Sequence, residues 1–89
     1  MISRKVAITN RLGLHARASS KLVQLANKFN CTIFIEKDRK RANAKSLMSV
    51  MMLSAKNGSM IEIIADGIDE IKAAKALIDL ISSKFGESE

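Results

Sequence analysis

Proline, tryptophan and tyrosine are absent from this chain, and its 89 residues include one cysteine and one histidine. Each shortage closes a class of function. A single cysteine cannot form an internal disulfide, and Cys31, set within "FNCTIFIEK", reads as a small buried residue in a reducing compartment. A catalytic thiol wants a base beside it, and the only imidazole lies in another segment. One histidine and one cysteine also fall short of the three or four ligands of an ordinary zinc site, so no metal and no other cofactor is expected. With three Phe as the only aromatics, the chain is poor in rings on which nucleic-acid bases could stack. No apolar run approaches the ~20 residues of a membrane span. The opening "MISRKVAITN" has no long apolar core of a secretion signal, and the cytoplasm is the expected location.

Hydrophobic residues make up 47% of the chain and charged residues 27%, the balance of an ordinary globular protein. The length suits one domain over residues 1–89 with one modest core. The net charge of +6 favours an anionic partner: nucleic acid, anionic lipid or an acidic protein.

Periodicity supplies the elements. "SRKVAITN" alternates, with Val6 and Ile8 on one face, and predicts a half-buried strand. Helical spacing follows, through Ala18, Leu22, Leu25, Ala26 and Phe29, and predicts a helix over about 16–28 that starts at His15 or Ala16. "CTIFIEK" alternates again, "DRKR" reads as a charged turn, and "RANAK" as a short pairing strand. Ser46 is a good N-cap for the apolar run "SLMSVMML", which is too short to be a stable helix without a neighbour. Asn57-Gly58 marks a turn before the strand "MIEIIA". "DGIDE" then opens a last helix with an apolar stripe of Ile71, Ala74, Ile78, Ile81 and Phe85, Leu77 alongside, ended by Gly86. The order β-α-β-β-α-β-α predicts an α+β fold, an open-faced sandwich of a four-stranded antiparallel sheet with three helices on one face.

The stretch "GLHAR" holds the chain's only imidazole at a helix start. Unpaired N–H groups and a partial charge of about +0.5 e make that terminus a ready anion site. Arg17 adds a fork of donors suited to phosphate oxygens, and the same positive field favours the neutral, nucleophilic form of His15. Gly13 permits a turn that exposes the ring. These parts suit reversible phosphoryl transfer through histidine, while a plain polar cap is the structural alternative.

"GLHAR" at 13–17 with "KSLMSVMML" at 45–53 resembles the HPr family, the histidine phosphocarriers of the bacterial phosphotransferase system, and the likeness spans essentially the whole chain. The resemblance implies that His15 accepts a phosphoryl group from enzyme I, charged by phosphoenolpyruvate, and passes it to an enzyme IIA domain, with Arg17 as electrostatic partner. It implies a carrier regenerated by its partners and not an enzyme. One departure stands out: Ala18 occupies the place where the family usually has proline, which leaves the first helical turn less constrained.

The resemblance further implies that Ser46 is the serine that an HPr kinase/phosphorylase modifies in the regulatory branch, although an N-cap is an equally good reading and Ser49 stands where regulated members commonly have glycine. Leu47, Met48 and Met51 exceed what so small a core must absorb. With Ala16 and Ser20 they form the surface that the resemblance implies for docking enzyme I and enzyme IIA. A monomer presenting one face to two partners in turn is expected. "ITNRLGLHAR" and "MMLSAKNGSMIEI" are similar to the nitrogen-related branch, whereas Lys45-Ser46 is closer to the sugar-type branch. Two other readings stand beside the carrier: a small basic nucleic-acid-binding domain using Arg39, Lys40 and Arg41, and a scaffold that no longer carries phosphate, to which only Ala18 points.

Overall fold

Alternation of apolar and polar residues decides the sheet. In the computed structural model, which describes residues 1–88, the strands are β1 (Ile2–Ala7), β2 (Thr32–Lys37), β3 (Lys40–Asn43) and β4 (Met60–Asp66). Ile33 and Ile35 of β2, Ala42 of β3, and Ile61, Ile63 and Ala65 of β4 are buried, while their sequence neighbours are not. The sheet is antiparallel throughout, in the order β1-β4-β2-β3. The last strand is thereby inserted between the first two, Val6 lying opposite Ile61 and Ile35 opposite Ile63. Its buried isoleucines join both halves of the sheet to one core.

Three helices cover one face: α1 (Ala16–Ala26), α2 (Leu47–Met52) and α3 (Glu70–Ser82). The α+β open-faced sandwich and its element order βαββαβα are as the sequence predicts. α1 buries Ala18, Ser19, Leu22 and Ala26, four or fewer residues apart, and packs against both other helices. Its end at Ala26 comes two residues before the expected 28, because Phe29 is only partly buried and the chain turns back at Asn27. The short α2 is held by its neighbour α1, as its length requires.

Three expectations are corrected. The buried face of α3 is Ala73, Ala74, Leu77 and Ile81, whereas Ile71 lies 69% exposed at the helix start. The small side chains of Ala73 and Ala74 let the helix lie close on the sheet, and this rotates Ile71 outward. Gly86 does not end α3 either. The helix stops at Ser82, and Lys84, Phe85 and Gly86 then take positive φ values of 59°, 57° and 77°, a left-handed turn that drives Phe85 into the core. The hairpin between β2 and β3 is tighter than a four-residue charged turn: Lys37 pairs with Lys40, and Asp38 and Arg39, with φ of 50° and 68°, make a two-residue loop.

Asp69 ties the start of α3 to the start of β2. Its carboxylate accepts hydrogen bonds from the Asn30 N–H at 2.8 Å and the Cys31 N–H at 2.9 Å. Beside it Gly67, at φ 152°, leaves no room for a side chain: a Cβ would sit 2.7 Å from both Cα and Cβ of Cys31. The Asn30 hydrogen bond above all, then those of Cys31, hold the Asp69 carboxyl below the usual aspartate range, with burial opposing. A carboxyl depressed in the folded state contributes stability above its unfolded value of about pH 4, which disappears as pH falls through the folded value. Asp69→Asn is therefore expected to melt below the wild type near neutral pH, with the gap closing as pH falls below about 4. Paired thermal melts across that range check it; a gap of constant width would contradict it.

Candidate functional site

The site grows from the end of β1. Ile8 is fully buried and exchanges backbone hydrogen bonds with the turn before β4, its N–H to Ser59 O and its carbonyl from the Gly58 N–H, both at 2.8 Å. The chain then loops through Asn10 and Gly13. Asn10 is fully buried, and its Nδ2 donates to Gly13 O at 2.8 Å. Gly13, at φ 65°, lies so close to the 55–57 segment that a Cβ would meet Ala55 O at 2.5 Å and Lys56 Cα at 2.8 Å. Leu14 N–H donates to Ala55 O at 2.8 Å, and Ser19 Oγ donates to Leu14 O at 3.0 Å. The backbone at position 15 is fixed from both sides.

His15 is the N-cap of α1, in extended conformation, as the helix start in the sequence requires. Its side chain makes no cap hydrogen bond, so the ring does not consume the first-turn amides of Ala16, Arg17 and Ala18. The imidazole is 26% exposed and opens on a cleft of about 260 Å³ lined by Arg11, Leu12, His15, Arg17, Glu87 and Ser88. Arg17 is exposed on the same rim and has no carboxylate partner among the described residues. His15 and Arg17 thus line the same cleft. Ala18 is completely buried, its methyl occupying core space at the first turn.

The residue that sequence reasoning missed is Glu87. Its Oε2 lies 2.7 Å from His15 Nε2, and its Oε1 accepts from Asn10 Nδ2 at 3.1 Å. The His15 hydrogen bond first, then that of Asn10, holds the Glu87 carboxyl below the usual glutamate range. The turn before it is pinned by Phe85 in the core and by Lys21 Nζ, which donates to Phe85 O at 2.7 Å. No local pattern announces a contact across 72 positions.

Ser46 caps α2, its Oγ accepting the Ser49 N–H at 3.4 Å, and it does not line the His15 cleft. Beyond it, Leu47, Met48, Met51 and Met52 line a shallow apolar groove. Met48 is 74% exposed and Met52 73%; the latter belongs with the three residues expected there. Ala16 is exposed and Ser20 half-buried on α1, which packs on α2.

The other candidates fare worse. Cys31 is buried, and burial together with the Asp69 contact pushes its thiol up to about 11, so it is protonated and unreactive at neutral pH. Arg41, one of three cations in the nucleic-acid reading, pairs with Glu36 at 3.1 Å and lies over the Phe34 ring at 5.2 Å. Among the described residues no cluster of His, Cys, Asp and Glu suits a metal, and no helix is long and apolar enough to cross a membrane.

An open-faced sandwich that sets one imidazole and one guanidinium at a helix N-terminus whose amides no side chain caps belongs to the class of histidine phosphocarriers. Comparison with known proteins agrees. Residues 2–83 match the family described as the PTS HPr component phosphorylation site. The chain is 47% identical to phosphocarrier protein HPr of Neisseria meningitidis over all of both chains. It is 44% identical to the HPr-like protein Crh of Halalkalibacterium halodurans over 94% of this chain and 100% of that one. The crystal structure of an HPr from Thermoanaerobacter tengcongensis superposes with a TM-score of 0.97 at 47% identity, covering all of both chains. The chain belongs to the HPr family of the phosphotransferase system.

Proposed function

We propose that this chain relays a phosphoryl group from enzyme I, charged by phosphoenolpyruvate, through a phosphohistidine on His15 to an enzyme IIA domain. The observation that supports it most is the placement of a half-exposed imidazole at the start of α1, beside Arg17 and with no cap hydrogen bond of its own. A neutral ring nitrogen attacks the phosphorus, and the new charge on the phosphoryl oxygens meets the guanidinium and the first-turn amides. The chain is itself phosphorylated in one transfer and regenerated in the next, so it is a stoichiometric carrier and not an enzyme. The test is intact mass after mixing the protein with phosphoenolpyruvate and enzyme I. One phosphoryl gain that vanishes on brief acid treatment is the expected result, and an acid-stable gain or none would overturn it.

The groove of Leu47, Met48, Met51 and Met52, with Ala16 and Ser20, is the proposed docking face for both partners. Methionines adapt to different counter-surfaces, which suits a face used twice. A phosphate on Ser46, from an HPr kinase/phosphorylase, would sit at the head of that face and add charge that opposes an acidic partner. With a net charge of +6, the carrier should associate with acidic surfaces faster at low salt. The association rate with enzyme I is expected to fall on the order of tenfold between roughly 0.05 and 0.5 M salt. Stopped-flow measurements at several ionic strengths check this, and a flat profile would contradict it. The carrier acts as a monomer in the cytoplasm in this reading, and whether its circuit moves sugar or regulates nitrogen use depends on which enzyme I it serves.

A further inference from the structure

We infer that the groove between the free edge of β1 and the outer stripe of α3 is a second docking site, which takes an extended acidic and apolar segment of a partner protein as a further strand of the sheet. The groove shares no residue with the His15 cleft or with the apolar groove on α2. It lies at the β1 edge, whereas α2 packs by β3 at the opposite edge. A partner held here leaves the relay face open.

Two features coincide at this edge. β1 pairs with β4 on one side and, among the described residues, with no strand on the other. The backbone groups along such an edge are a template for a further strand. Beside it, α3 carries more apolar surface than the core takes up. Leu77 and Ile81 pack in the core, while Ile71, Ala74 and Ile78, spaced by three and four residues, form a second stripe. With Ile2, Arg4 and Lys75 this stripe lines an open groove of about 220 Å³. Ile71 is largely exposed, and Ile2 and Ile78 are half-buried. An open strand edge next to an apolar groove is the arrangement used in strand addition: main-chain hydrogen bonds hold the guest, and its alternate side chains fill the groove.

Charge selects the occupant. Arg4 and Lys75 are exposed at the groove, and Lys5 is exposed on the other face of the same strand. Arg4 donates to the backbone carbonyl of Ser3 at 2.9 Å and has no carboxylate partner among the described residues. Lys75 pairs with Asp79 at 3.3 Å, but both side chains stand in water, where such a pair is weak and gives way to a guest carboxylate. A second copy of the chain is the rival occupant. Antiparallel pairing of two β1 strands about a two-fold axis would set Arg4 and Lys5 of one protomer against those of its partner, and like charges in that position oppose the pairing. An acidic strand meets the same cations favourably, its apolar side chains lying against Ile2, Ile71 and Ile78.

The test titrates the 15N-labelled protein with two pools of end-capped peptides of about nine residues, the length of an ordinary strand and its flanks. Odd positions are Val, Ile or Leu in both pools; even positions are Glu in one and Lys in the other. The Glu pool is expected to shift the amides of residues 2–7 and 71–78 and to slow hydrogen exchange along β1. The Lys pool should bind at least about tenfold more weakly. Ile71→Lys and Arg4→Glu, both at exposed positions, should each weaken the Glu pool about tenfold, the first by removing apolar contact and the second by reversing a charge. Shifts confined to α2 and the His15 loop would overturn the inference and place acidic segments on the relay face. Equal binding of the two pools, or no shift from either, would overturn it as well. Concentration-dependent shifts at the same amides without peptide, together with a dimer in sedimentation, would assign the edge to a second copy instead.

Discussion

His15→Ala is expected to gain no phosphoryl group from phosphoenolpyruvate and enzyme I, and Arg17→Ala to gain it about 10²–10³ times more slowly. The two losses differ in kind. His15 is the chain's only imidazole, so no second ring can accept in its place. Arg17 supplies charge to a transition state that the first-turn amides also stabilise, and these remain when its side chain is removed. Arg17→Lys should recover part of the rate, since it restores the charge but not the planar fork. Rapid-quench mass spectrometry of the three variants separates these outcomes. An acid-labile gain in His15→Ala would move the acceptor elsewhere. A loss of no more than about threefold in Arg17→Ala would leave the helix terminus as the main stabiliser, below the range of a single essential donor.

The sheet and the helices were legible because their signals are local. Alternation in "TIFIEK" and "MIEIIA" marks which side chains face the helices, and the structure buries those residues. The start of α1 at His15 and the cap at Ser46 follow from residues within one turn of each other. The phase of α3 was less legible, since Ile71 outranks Ala73 in hydrophobicity. Close approach to the sheet favours alanine instead, and only packing reveals that. The turn at 84–86 could not be read at all. Positive φ at Lys84 and Phe85 is unfavourable for each residue alone and is stabilised by a core position that the rest of the chain creates.

The site divides in the same way. Gly13, His15 and Arg17 lie within five positions and declare a turn, a nucleophile and a cation at one helix terminus. Asn10 looks like an ordinary loop residue, yet burial makes it the link between the Gly13 carbonyl and Glu87. Glu87 itself sits in a short polar ending, "GESE", that resembles a solvated tail. What brings it to the imidazole is tertiary: a buried ring, a lysine from α1 and a left-handed turn. Leu47, Met48 and Met51 were visible as surplus apolar side chains, whereas Met52, as exposed as Met48 in the structure, was not singled out.

Phe85→Ala is expected to cost about 3–5 kcal/mol, the range for truncating a fully buried aromatic. Phe85 is 1% exposed and packs in the cluster that contains Leu22, Leu77 and Ile81. For a domain of this size that is a large share of a total stability of roughly 5–15 kcal/mol. Phe29→Ala, at a partly buried position, should cost less than half as much. The difference between the two midpoints in urea, with slopes compared, is the measurement. A Phe85 cost no greater than that of Phe29 would mean that the 84–86 turn closes over the space left behind. Packing and chemistry meet at this ring: it fixes the backbone whose carbonyl Lys21 binds and whose next residues bring Glu87 to Nε2 of His15. Phe85→Leu should retain most of the stability. Phe85→Ala, studied where it is still folded, should show His15 ring shifts displaced from the wild type, because the Glu87 contact is lost with the turn. The two effects should therefore appear together, because one side chain holds the 84–86 turn that brings the Glu87 carboxylate to the site.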